Sequence, residues 1–125
     1  MNRTFFAFLF ILNTALVFSQ RAVFYVKKQT YKFDRTAEGD TVRHTFLIEN
    51  KGDADLVISD YEVECSCTHV YLPNQTIAPG ERAELTFFFD TEGRPFLQDR
   101  KILLVTNTKN QKEYLRFKVF VKPKK

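Results

Sequence analysis

Tryptophan is absent from the 125 residues, methionine occurs once, and glycine and proline occur four times each. Turns at Gly39, Gly52, Gly80 and Gly93 use every glycine, so none is left for a loop that cradles phosphate. Cysteine is limited to Cys65 and Cys67, one residue apart, and with no tryptophan this excludes the antibody-type pattern of a wide intersheet disulfide packed on an indole. The region after residue 19 has no stripe of apolar residues at helical spacing, which excludes the crossover helices that a parallel sheet requires. Charge of one sign is not in large excess either: 19 basic residues face 15 acidic ones, a net +4 that mainly favours solubility, and the exported location that residues 1–19 imply leaves no nucleic acid expected as partner.

The one long uncharged run, Phe5 to Phe18, follows a basic residue, Arg3, and precedes the small residue Ser19. Residues 1–19 therefore read as a cleaved signal peptide, and residues 20–125 as a single exported domain, periplasmic or extracellular. The run is shorter than the ~20 residues a membrane-crossing helix needs, so no stable membrane insertion is expected after cleavage. Removal of the leader deletes Arg3 and no acid, leaving 18 basic residues against 15 acidic ones. The end of the chain, Lys122-Pro123-Lys124-Lys125, reads as a short solvated basic tail.

Residues 20–125 alternate apolar and polar in stretches rich in Val, Ile, Phe, Tyr and Thr, separated by turn residues. The first strand, continuous or interrupted, covers Ala22 to Val26 and Thr30 to Phe33, and Glu38-Gly39-Asp40 turns into a second. There Val42, His44, Phe46 and Ile48 share one face, with Leu47 the exception on the other. Asn50-Lys51-Gly52-Asp53 tolerates positive φ and predicts a hairpin into Leu56-Val57-Ile58. Apolar parity then changes from Leu56 and Ile58 to Tyr61, Val63, Cys65 and Cys67, which demands a bulge or change of sheet near Ser59-Asp60. Pro79-Gly80 suits the centre of a type II turn and launches a strand with Ala83, Leu85, Phe87 and Phe89 inward. Arg100 to Thr106 and Tyr114 to Val121 complete about seven strands. The expectation is all-β, a single Ig-like antiparallel β-sandwich with a phenylalanine-filled core, for nine of the fourteen phenylalanines lie beyond Ser19.

The ordered motifs Gly39-Asp40-Thr41, His44-Thr45-Phe46, Asn50-Lys51-Gly52, Leu56-Val57-Ile58, Cys65-Ser66-Cys67-Thr68, Ile77-Ala78-Pro79-Gly80 and Thr106-Asn107 resemble those of the bacterial Domain of Unknown Function 1573 family. The resemblance covers roughly Phe33 to Val121. It implies an exported Ig-like module related in shape to major-sperm-protein and Hydin-type domains, with no assigned activity. Ser66 stands where the family usually has glycine.

Chemistry concentrates at Cys65 and Cys67. On an extended strand their Cα atoms would stand about 6.6 Å apart, so a bridge between them requires the chain to curl. They can serve as small apolar core fillers, bridged or not, as an exchanging thiol pair, or, with His69 and His44, as ligands for copper or zinc. His44 by itself reads as a core-facing imidazole bonded to a backbone carbonyl. No catalytic residue is expected, because Ser66 and Thr68 lack a base and an orienting partner, and Glu62 and Glu64 have the spacing of a solvated strand face. No cofactor is required, with Cu or Zn the speculative alternatives. The leading expectation is a non-enzymatic module that binds a protein or envelope component. Its candidate surface is Phe88, Leu103, Val105 and Phe120, whose parity opposes the core set. The alternative is a thiol-redox or copper-handling protein.

Overall fold

The computed structural model describes residues 20–124, so the signal-peptide reading of residues 1–19 lies outside the described residues. Ten strands follow in order: β1 Phe24–Tyr25, β2 Thr30–Lys32, β3 Thr36–Ala37, β4 Thr41–Asn50, β5 Leu56–Val63, β6 Thr68–Tyr71, β7 Thr76–Ile77, β8 Arg82–Asp90, β9 Phe96–Thr106 and β10 Lys112–Lys122. They build two facing sheets, β1-β4-β8-β6 and β2-β10-β9-β5-β7, with β3 also paired to β10. The expected sandwich is present, with eight strands against the roughly seven expected once β1, β2 and β3 are counted as one interrupted strand and short β6 and β7 are set beside the five long ones. The interruption has a purpose: β1 pairs antiparallel with β4 in one sheet, whereas β2 and β3 pair parallel with β10 in the other. The N-terminal segment thus ties both layers together along one edge, and the sandwich is antiparallel except there.

Alternation places each strand's faces as the residues dictate. Along β4, Phe46 and Ile48 are buried while Arg43, Thr45 and Leu47 are exposed; along β8, Ala83, Leu85, Phe87 and Phe89 are all buried. Facing them are Ile102 and Leu104 of β9 and Leu115, Phe117, Val119 and Val121 of β10. Phenylalanine does fill the centre. Phe117 lies with its ring centroid 4.4 Å from that of Phe87, stacked, and 5.2 Å from that of Phe89, edge to face. Among the described residues the buried core runs from Ala22 to Val121.

Two local expectations meet different outcomes. The parity change near Ser59-Asp60 is met by a register shift between Ile58 and Asp60 in the pairing of β5 with β9. The hairpin expected at residues 50–53 does not form, because β4 and β5 belong to opposite sheets. Hairpin formation requires the two strands to pair, and each finds a better neighbour: β4 pairs with β8 and β5 with β9. Gly52 is not a positive-φ glycine, unlike Gly39, Gly80 and Gly93. Its missing side chain instead admits the backbone of Arg21 and Val23, onto which any Cβ would collide. The turn at Pro79-Gly80 has φ +78° at Gly80 and a Glu81 amide donating to the Ala78 carbonyl at 3.0 Å, as a type II turn requires.

Candidate functional site

Strand β5 stops at Val63, and the chain turns through Glu64 to Cys67 before entering β6 in the opposite sheet. Cys65 and Cys67 therefore do not sit on a strand. The turn draws their Cα atoms to 5.2 Å, inside the ordinary disulfide range, and the two sulfurs are bonded. The Thr68 amide donates to the Cys65 carbonyl at 3.3 Å, and the Cys67 carbonyl accepts from the Asp90 amide at 2.9 Å, which fastens the turn to the end of β8. Cys67 is buried and Cys65 half-buried. Ser66 is not among the positive-φ residues, so a turn of this shape accepts serine where the family resemblance leads one to expect glycine. The bridge closes a loop of only three residues, which by chain entropy contributes about 1–2 kcal/mol. Replacing both cysteines by serine is thus expected to lower the unfolding free energy by about that amount in urea titrations, with the cooperative transition preserved.

The four residues considered as metal ligands are not brought together. Strand alternation restarts at Thr68, which is buried, so His69 points to solvent rather than along a cysteine face. His44 lies on β4, separated from β6 by β8, and its ring stacks on Tyr31 at 3.6 Å between centroids. It does face inward, but aromatic rings surround it, with Phe46 edge-on at 4.9 Å, in place of the expected carbonyl partner. Partial burial lowers its pKa below the ordinary histidine value, which favours the neutral ring. Among the described residues, no group of three or more His, Cys, Asp or Glu side chains is placed to hold a metal ion.

Phe88, Leu103, Val105 and Phe120 all turn to the outer faces, as parity requires, and all are half-buried. They do not form one surface. Phe88 belongs to the smaller sheet; Leu103 and Val105 occupy the middle and far end of the larger one; Phe120 lies at its other end, in register with Leu97. Leu47, the further residue of odd parity, is 47% exposed on the smaller sheet.

The most exposed apolar corner escaped the sequence reading. Phe96 is 59% exposed and Leu97 is 62% exposed, although strict alternation would turn one of two successive side chains inward. The cause is the backbone of Phe96, whose φ of +71° is a left-handed conformation that bulky residues adopt rarely and at a cost. Leu97 faces Phe120 across the β9–β10 ladder, and the Arg35 guanidinium lies 4.9 Å from the centre of the Phe120 ring. A shallow depression there is lined by Phe33, Leu97 and Phe120 together with Lys32, Arg35 and Lys118. The only signal in the sequence was the adjacency of Pro95-Phe96-Leu97, which marked an end of a strand rather than a conformation.

Arg100 is a second residue that sequence reasoning passed over. It occupies a core-face position on β9 beyond Ile102, where its guanidinium meets the Gln98 amide oxygen at 2.7 Å, the Glu64 carboxylate at 3.8 Å and the Phe89 ring at 5.9 Å. A polar residue in phase with Ile102 and Leu104 was the available sign. Elsewhere the ionisation shifts come from exposed pairs. Arg116 donates to Asp99 at 2.7 Å and holds that carboxyl below its usual range; Glu92 accepts from Lys124 at 2.8 Å and raises the ammonium pKa. Lys122, Pro123 and Lys124 are exposed, in keeping with a solvated tail, and the Lys124 ammonium is paired with the Glu92 carboxylate at the surface.

No curated protein sequence matches the chain significantly. Among solved structures, a protein of unknown function from Porphyromonas gingivalis W83 is similar at 18% identity with a TM-score of 0.71, over 85% of this chain and 50% of that one. This chain thus spans about half the length of that relative. The ASH/PapD-like domain 7 of human CEP192 is similar at 14% identity and TM-score 0.52, over 84% of this chain and 87% of that domain. WR4, a major-sperm-protein family member of C. elegans, is similar at 11% identity and TM-score 0.51, over 78% of this chain and 96% of its own. At these identities the likeness concerns the Ig-like sandwich alone. The model of a family described as a protein of unknown function matches residues 24–121, from the start of β1 almost to the end of β10, and the chain belongs to that family, DUF1573.

Proposed function

We propose that this chain is an exported, non-enzymatic binding module of the cell envelope, and that its contact surface is the corner formed by Phe96, Leu97 and Phe120. The single observation that carries this reading is Phe96, a large aromatic side chain held in solvent by a left-handed backbone. Such strain opposes folding and is retained where the exposed group has work to do. Leu97 and the ring of Phe120 extend the apolar area across two strands. Export is supported by the leader-like composition of residues 1–19 and by the bridged state of Cys65 and Cys67, which fits an oxidising compartment. The non-enzymatic reading is supported by the disulfide, which ties up both thiols, and by the location of the shifted groups in exposed ion pairs and at His44.

The test uses residues 20–125 and washed envelopes of the source cell. Wild type is expected to sediment with the envelopes, and Phe96→Asn combined with Leu97→Ser is expected to weaken that retention about tenfold or more, since each large apolar side chain is worth ~1.5–3 kcal/mol when fully buried. Asparagine tolerates the left-handed region, so the same variant keeps or slightly raises stability. Retention equal to wild type in the double variant would remove this corner as the contact surface, and steady turnover of any substrate by the purified domain would remove the non-enzymatic reading.

A further inference from the structure

We infer that the corner docks on an anionic phospholipid bilayer, with Phe96 and Leu97 in the interfacial layer and Lys32, Arg35 and Lys118 against lipid phosphates; this rests on the binding reading above and names its partner.

The lining of the depression beside Phe120 is of one sign. Lys32, Arg35 and Lys118 border it and no acidic side chain does. The positions follow from the ladder: Lys118 lies two residues before Phe120 on the same outer face of β10, and Lys32 of β2 is in register with Lys118. The acid nearest in register, Asp99 opposite Lys118, is already paired with Arg116. Among the described residues, Lys32, Arg35 and Lys118 take part in no ion pair, so their positive charge borders an apolar strip. Basic groups that flank exposed Phe and Leu match a surface with phosphate outside and hydrocarbon within.

A strand-adding peptide fits the strip less well. Around Phe120 the backbone of β10 is hydrogen-bonded on both sides, to β9 and to β3 with its flanking residues, so at Phe120 the strip offers a side chain rather than free amides and carbonyls. Phe96 and Leu97 also project outward in succession instead of lining a cleft. A projecting apolar edge enters a deformable lipid interface without needing a complementary pocket.

The experiment is co-sedimentation of residues 20–125 with vesicles of phosphatidylglycerol and phosphatidylethanolamine in equal parts, against vesicles of phosphatidylcholine alone. Binding to the anionic vesicles is expected to be at least about tenfold tighter and to weaken as salt is raised. Phe96→Asn with Leu97→Ser is expected to cut it about tenfold. Lys32→Glu with Arg35→Glu, both at exposed positions, is expected to abolish the preference for anionic vesicles. Circular dichroism melts confirm that each variant is folded. No vesicle binding, or binding indifferent to both variants, overturns the lipid assignment. If envelope retention depends on Phe96 and Leu97 yet disappears when the envelopes are first treated with proteinase, and vesicles do not bind, the partner is a protein: the lipid assignment falls and the binding reading stands. If neither envelopes nor vesicles retain the wild type, both fall.

Discussion

Asn50→Ala is expected to destabilise the domain by about 3–5 kcal/mol, enough to remove a large part of the 5–15 kcal/mol typical of a small domain. Asn50 ends β4 fully buried, with its side chain as the centre of four hydrogen bonds. Its amide nitrogen donates to the carbonyls of Ala54 at 2.7 Å and Ile77 at 2.9 Å, and its oxygen accepts from the amides of Val23 at 3.2 Å and Gly52 at 2.9 Å. These partners come from the N-terminal segment, from the crossing between sheets and from β7. Alanine leaves four backbone groups without that partner, and each one that stays buried costs about 1–3 kcal/mol. Asn50→Asp is the informative companion. It keeps the acceptor but replaces the donor with a carboxylate facing two carbonyl oxygens, so it is expected to be destabilised to a comparable degree. Urea titrations of the three proteins measure this; a loss below about 1 kcal/mol in both variants would show that the side chain is not the anchor of the crossing.

Phe117→Ala is expected to cost about 3–5 kcal/mol through the cavity it opens. Phe117 is completely buried between Phe87 and Phe89 of the facing sheet, with Phe33 edge-on at 6.2 Å. Close-packed neighbours relax only in part, so both the transfer energy and the void are lost. For a domain of this size each kcal/mol lowers the melting temperature by roughly 4–8 °C, which places the expected fall at about 12 °C or more. Phe117→Leu, which keeps most of the volume, is expected to lose less than half as much. A melt within a few degrees of wild type for the alanine variant would mean that the two sheets close over the gap, and that their separation is not set by these rings.

These two residues differ in how far they could be read in advance. Phe117 alternates with Leu115, Val119 and Val121, so its inward face follows from the two-residue period of a strand. Asn50 showed only as part of a turn, and the hairpin inferred from it does not exist, because turn composition says that the chain reverses but not whether the next strand returns to the same sheet. The candidate site shows the same division. The outward positions of Phe88, Leu103, Val105 and Phe120 follow from parity, whereas their separation onto different sheets and opposite ends follows from strand order. Continuing alternation from Cys65 and Cys67 would put His69 on their face, but residues 64–67 form a turn and the phase is lost there.

Alternation is a local property: successive side chains leave a pleated backbone on opposite sides whatever lies beyond, so the all-β class, the core faces and the need for a bulge near Ser59-Asp60 were determined by the residues themselves. Tertiary structure alone decided which strands pair, where Cys65 and Cys67 approach each other, what Gly52 leaves room for, and that Phe96 is exposed next to Leu97, which borders Phe120 and three basic side chains. Each of those depends on groups far apart in the chain meeting at one place, and no spacing within a single segment encodes such a meeting.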